Sequence, residues 1–97
     1  DILSDGTRVL GVDNGHEMLK TITGTGCMAT TVVAIFCAVE ADKLIASASA
    51  LACYGLAAER AARSTKGPGS FRSSLLDELY HITPALLEKG ARVLDLG

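Results

Sequence analysis

Two uncharged runs lie almost back to back in this chain. One fills the nineteen positions between Lys20 and Glu40, and the other extends from Leu44 to Ala58. Only Glu40-Ala41-Asp42-Lys43 separates them. Such runs must leave water, so whatever buries them defines the fold. The strongly apolar part of the first run is Cys27 to Val39, thirteen residues, short of the roughly 20 that a bilayer span needs. The second run is broken by Ser47, Ser49 and a Tyr54-Gly55 step. A membrane hairpin is therefore the weaker reading, and helices buried inside a larger soluble protein the stronger one.

The first run reads as a helix from Thr25 or Gly26 to Val39. Met28, Val32, Val33, Ile35, Phe36 and Val39 fall on every face, with Thr30 and Thr31 the polar interruption. Such a helix is expected to be covered on both sides. The second run reads as a longer helix from Leu44 to about Arg63. Its first half is small and apolar (Ala46, Ala48, Ala50, Ala52), and its second half turns amphipathic at Glu59, Arg60 and Arg63. That alanine density suits close packing, including an interface between subunits.

Around these helices the signals are short. Ile2–Ser4 and Arg8–Val12 read as strands joined through Asp5-Gly6-Thr7, since a DG step between β-prone runs favours a hairpin. Asp13-Asn14-Gly15 makes a further turn, NG favouring positive φ. Met18–Ile22 is expected as a short strand or an extended approach to the glycines. Ser64–Gly69 reads as a loop, with Ser70 capping a helix from Phe71 to about Tyr80. Thr83 and Pro84 provide a capping residue and a first-turn proline, Gly90 a stop, and Arg92–Leu96 a last strand. The order fits an α/β layer protein whose sheet is incomplete.

The remaining composition mostly excludes. A formal net charge of −2 leaves no basic footprint for nucleic acid, and the four scattered aromatics make no stacking platform. Ninety-seven residues suffice for one small domain. Cys27, Cys37 and Cys53 form no CxxC pair, and the first two stand roughly 15 Å apart on one helix, beyond disulfide reach. Free thiols suit a reducing cytoplasm. Because the chain opens at Asp1 inside a strand-like run, it is expected to be part of something longer.

Gly24-Thr25-Gly26-Cys27 carries the chemistry. It stands where extended chain enters a helix, so the first amides lack internal partners and sit at the positive end of the macrodipole. Glycines let a phosphate approach that backbone, which makes an anion site. The motif is neither GxxxxGK[ST] nor GxGxxG. Spacing alone equally allows a glycine turn into a buried helix. A thiol in the first turn is expected to have a lowered pKa and to hold or accept an alcohol proton, or else to be a small buried hydrophobe, as Cys37 and Cys53 are expected to be.

The segments VDNGHEMLKTITGTGCMATTVVAIFCAVEA, YGLAAERAA and KGPGSF, in that order, resemble the C-terminal part of the hydroxyethylthiazole kinase family, within the ribokinase-like superfamily. The resemblance covers nearly the whole chain and becomes vague after Tyr80. It implies the C-terminal part of a ribokinase-like layered α/β fold, with residues 1–97 belonging to a single kinase domain. It also implies ATP- and Mg²⁺-dependent phosphorylation of the hydroxyl of 4-methyl-5-(2-hydroxyethyl)thiazole in thiamine biosynthesis. Carried over, Gly24, Thr25 and Gly26 form the anion hole, with Gly24 also near the substrate. Cys27 takes the catalytic position, where the superfamily usually has aspartate. The resemblance further implies a cytoplasmic homotrimer with sites between subunits, and an upstream part that supplies most nucleotide, metal and thiazole contacts. The chain alone is then expected to be inactive. Another ribokinase-like small-molecule kinase, and a non-enzymatic helical interaction or membrane-hairpin module, are the alternatives.

Other polar residues have plainer readings. His16 follows the NG turn as a surface residue, and His81 suits a helix end. Asp13 and Glu17 read as turn and solvent residues in the absence of neighbouring carboxylates. Lys66 and the glycines after it form a loop that borders a nucleotide only in the looser reading.

Overall fold

The computed structural model describes residues 1–97. Strands β1 (Ile2–Ser4), β2 (Val9–Val12) and β3 (Val93–Asp95) form an antiparallel sheet in the order β1-β2-β3. Ile2 pairs with Gly11, and Val12 with Val93. Four helices follow the hairpin: α1 (Thr25–Val39), α2 (Lys43–Arg63), α3 (Pro68–His81) and α4 (Pro84–Gly90). The DG hairpin forms as expected, with Gly6 and Gly15 both at positive φ. The Asp5 carboxylate accepts the Thr7 and Arg8 amides inside the turn. Those two amides and the Arg8 guanidinium pull the Asp5 carboxyl down to about 2. Arg8 also forks onto Asp42 at 2.7 and 3.0 Å, tying the hairpin to the start of α2. Asp42 in turn caps α2 by accepting the Ile45 amide.

Burial falls differently from the hydropathy pattern. The first run reads as a helix covered on both sides, with the covering sheet expected to lie outside this chain, and α1 here has no buried residue, Ile35 and Val39 standing 59% and 85% exposed. The enclosed helix is α2. Ala46, Ala48, Ala50, Ala52, Ala57, Ala58 and Ala61 are all at or below 2% exposure. The alanine-rich stretch expected as an intersubunit surface is thus the inner core of this chain. Small side chains let the sheet, α1, α3 and α4 all approach one helix closely, whereas α1 touches the body along one side only. Tyr54, Ala57, Ala58, Ala61, Phe71 and Leu75 form one cluster, on which Met28 and Val32 of α1 pack. Val12, Ala48 and Ala52 join α2 to the sheet.

Two local expectations are corrected. Glu17–Thr21 is a 3₁₀ turn rather than a strand, because His16 Nδ1 accepts the Met18 amide and Thr21 Oγ1 donates back to the Met18 carbonyl. Helix α3 begins at Pro68 rather than Phe71. Proline fits the first helical position, so Gly67 is the cap, and Ser70 lies within the first turn, donating to the Gly67 carbonyl. Thr83 caps α4 as expected, accepting the Leu86 amide. No helix is long and apolar enough to cross a membrane.

Among the glycines, Gly55 has backbone nearest to it: an added Cβ would stand 2.5 Å from the Asn14 carbonyl carbon. Backbone cannot yield there as a flexible side chain does. Gly55→Ala is therefore expected to destabilise the chain by about 2 kcal/mol or more. Gly69→Ala, whose Cβ meets open space in the first turn of α3, is expected to be neutral or stabilising. Denaturant midpoints of the two variants check the contrast.

Candidate anion site at the start of the first long helix

The chain enters α1 through Gly24, which is the helix cap at φ +84°. That left-handed angle favours glycine and leaves the loop without a capping side chain. The Gly24 carbonyl accepts the Met28 amide at 3.0 Å, the first bond of the helix. The amides of Thr25, Gly26 and Cys27 donate to no protein group. A Cβ placed on Gly24 or Gly26 meets nothing within 4 Å. The corner is thus open, with three free donors at the positive end of a fifteen-residue helix. Cys27 is exposed at its rim, so the buried-hydrophobe reading of this thiol fails. Cys53 is buried and its thiol is pushed up by desolvation, as expected of an inert core cysteine.

An open pocket of about 240 Å³ adjoins the loop, lined by Thr25, Gly26, Ala29, Leu19, Tyr54 and Asn14 among others. Its far wall comes from α2. The Tyr54 hydroxyl donates to the Thr25 carbonyl at 3.1 Å, and burial pushes the phenol's pKa up, keeping that proton in place at neutral pH. Arg72, in the second turn of α3, reaches the Thr23 carbonyl at 3.4 Å. Both contacts bridge distant parts of the chain, and sequence spacing gives no sign of either. The NG turn is held by Glu59. Its carboxylate accepts from Asn14 Nδ2 at 2.9 Å, the Gly15 amide at 3.0 Å and Arg92 at 3.1 Å. Burial raises the Glu59 pKa, but the bonds from Arg92, Asn14 and Gly15 outweigh it and hold the carboxyl below its ordinary value.

Capping sharpens the picture. The 3₁₀ turn, α2 and α4 each begin on a side chain that accepts an amide: His16, Asp42 and Thr83. The starts of α1 and α3 instead have glycine caps with no side-chain bond. These are the TGTGC and KGPGSF segments. His16 is exposed and acts as a cap, and His81 lies at the end of α3 against Tyr80. Asp13 faces Arg92 at 3.9 Å. No group of three His, Cys, Asp or Glu side chains is placed to hold a metal ion.

The hydroxyethylthiazole kinase family model matches residues 1–85. The hydroxyethylthiazole kinase of Desulforudis audaxviator is 64% identical over 93 residues, covering 96% of this chain and 34% of that protein. That of Chloroflexus aggregans is 58% identical over 96 residues, covering 99% and 34%. A solved structure of the hydroxyethylthiazole kinase protein from Pyrococcus horikoshii OT3 superposes with a TM-score of 0.94 at 43% identity, covering 100% of this chain and 38% of that one. The chain spans about a third of the length of the curated relatives it matches.

The Glu59 bonds set a pH dependence. A carboxyl whose folded pKa is depressed adds stability that is full above its ordinary value, 4.5, and is lost as pH falls through the lower folded value. Melting temperature is expected to fall as pH drops from about 5 towards 3. In Glu59→Gln part of that acid limb disappears, and the melting temperature at neutral pH is lower than that of the parent. A melting series from pH 7 to 3 on both proteins checks this.

Proposed function

The chain belongs to the hydroxyethylthiazole kinase family, and from that premise we propose that it forms the phosphoryl-accepting corner of an enzyme that phosphorylates the hydroxyl of 4-methyl-5-(2-hydroxyethyl)thiazole in thiamine biosynthesis. The observation that carries this reading is the open cradle of unpaired amides at Thr25, Gly26 and Cys27. In phosphoryl transfer the barrier falls mainly through positioning and through donors aimed at the charge spread over the migrating group. ATP, with Mg²⁺, supplies that group and neutralises part of its charge. Three amides at a helix start suit its equatorial oxygens, and their donors need no reorganisation during the reaction. The glycines keep Cβ atoms out of its approach, with Gly24 bordering the acceptor.

Cys27 takes the catalytic position, its exposed thiol beside the acceptor hydroxyl. In a loose transition state the alcohol proton leaves late, so a strong base is unnecessary. Most nucleotide contacts and the metal ligands come from the part of the relatives that this chain does not span. That part also covers the apolar outer side of α1, or a second subunit of a cytoplasmic homotrimer does. The chain by itself is expected to consume no ATP.

The test is a chimera in which this chain replaces the matched segment of the Desulforudis audaxviator hydroxyethylthiazole kinase. Thiazole-dependent ATP consumption is expected. Its absence from a folded chimera, or faster turnover of a hydroxymethylpyrimidine or sugar alcohol, overturns the proposal. Within the chimera, Gly26→Val is expected to cut kcat/KM by about a hundredfold or more, with little change in melting temperature because its side chain points into open space. Cys27→Asp is expected to retain activity within about tenfold. Wild-type turnover by Gly26→Val removes the anion-hole reading.

A further inference from the structure

A planar peptide joins each carbonyl to the amide that follows it. The Thr25 carbonyl and the Gly26 amide are two ends of one such plane, and the Thr23 carbonyl and the Gly24 amide of another. Each of these carbonyls is held from outside the loop: Thr25 by the Tyr54 hydroxyl at 3.1 Å, and Thr23 by Arg72 at 3.4 Å. The Tyr54 grip is the firmer. Tyr54 is 5% exposed, packed within the largest core cluster, and lines the same pocket as Thr25 and Gly26. Gly55 beside it is fixed by the close approach of Asn14, which limits any shift of this part of α2.

We propose that Tyr54 is a positioning residue for phosphoryl transfer: by donating to the Thr25 carbonyl it sets the tilt of the Thr25–Gly26 peptide and so aims the Gly26 amide at the migrating group. The inference rests on the reading of the glycine loop as an anion hole. Hydrogen bonds in series polarise one another, so a donor at the carbonyl end also strengthens the amide at the other. Arg72 steadies the Thr23–Gly24 plane, two peptides earlier in the same loop, in the same way. Neither side chain needs to touch substrate. The aim of a preorganised donor matters most where charge develops, so the effect belongs to kcat rather than to ground-state binding.

Tyr54→Phe in the chimera keeps the ring and removes only the hydroxyl. The expected result is a fall in kcat of about tenfold, with KM for the thiazole alcohol and for ATP unchanged and the melting temperature within a few degrees of the parent chimera. An unchanged kcat overturns the proposal. So does a kcat loss that comes with a matching rise in KM or a collapse in melting temperature, since that marks a merely structural hydroxyl. Should Tyr54→Phe fail to fold, Arg72→Gln at its exposed site tests the same geometry: a several-fold loss of kcat at constant KM supports it, and wild-type kcat overturns it. Failure of the anion-hole reading is told apart by Gly26→Val, which then retains activity whatever Tyr54→Phe does.

Discussion

In a chain of ninety-seven residues a central helix admits close neighbours on several sides when most of its inward side chains are small. Helix α2 meets that condition with seven alanines at or below 2% exposure. The sheet, α1, α3 and α4 each pack on a different part of it. The Asn14 turn comes so near Gly55 that even a methyl group there would meet backbone. One turn further along, Glu59 takes the Asn14 side chain and the Gly15 amide, and Arg92 brings the strand at the other end of the chain to the same carboxylate. The missing Cβ sets how near the turn can come, and the carboxylate sets how it faces.

That arrangement fixes the glycine loop at second hand. The loop makes few bonds of its own, the amides of Thr25, Gly26 and Cys27 standing free. Its order must come from neighbours, and α2 supplies Tyr54 while α3 supplies Arg72. Arg60 bonds Glu78 at 2.8 Å, with both side chains partly shielded, so the two supporting helices are also tied to each other. A loop with free amides is thereby supported through its carbonyls.

The sequence disclosed local structure well wherever a short-range rule applied. Asp5-Gly6 marked the hairpin, Thr83-Pro84 the start of α4 and Gly24 to Val39 the extent of α1, because turns, caps and periodicity are encoded within a few residues. The glycine turn into α1 was also legible, whereas the exposure of Cys27 was one of two open readings. Burial within this chain was legible only in part, because hydropathy ranks α1 above α2 as a core helix while the outer side of α1 meets no element that this chain supplies. The 3₁₀ turn was missed because its cause is a histidine cap, and the start of α3 because Pro68 outcompeted Ser70. Tyr54, Glu59 and Arg72 act across separations of 29 to 49 residues, which no window of sequence reveals. Glu59 in the amphipathic half of α2 and the Tyr54-Gly55 step were the only available signals.

The two helices that begin on bare glycine are also the two that carry the family's glycine motifs. A helix start capped by glycine forgoes roughly a few tenths of a kcal/mol relative to a serine or aspartate cap, and this chain uses such caps readily elsewhere, at Asp42 and Thr83. A side-chain oxygen at position 24 would occupy the donors that Thr25, Gly26 and Cys27 now leave free. It would also demand a backbone angle other than the φ of +84° that turns the loop. The other end of α1 is treated in the opposite way: Lys43 Nζ donates to the carbonyls of Cys37 and Glu40 at 2.6 and 3.0 Å. One helix therefore has its negative end neutralised by a cation of the chain and its positive end left for an anion that the chain does not supply. The proposed binding of a phosphate gives a reason for that asymmetry, and a glycine turn serving only to enter a helix gives none.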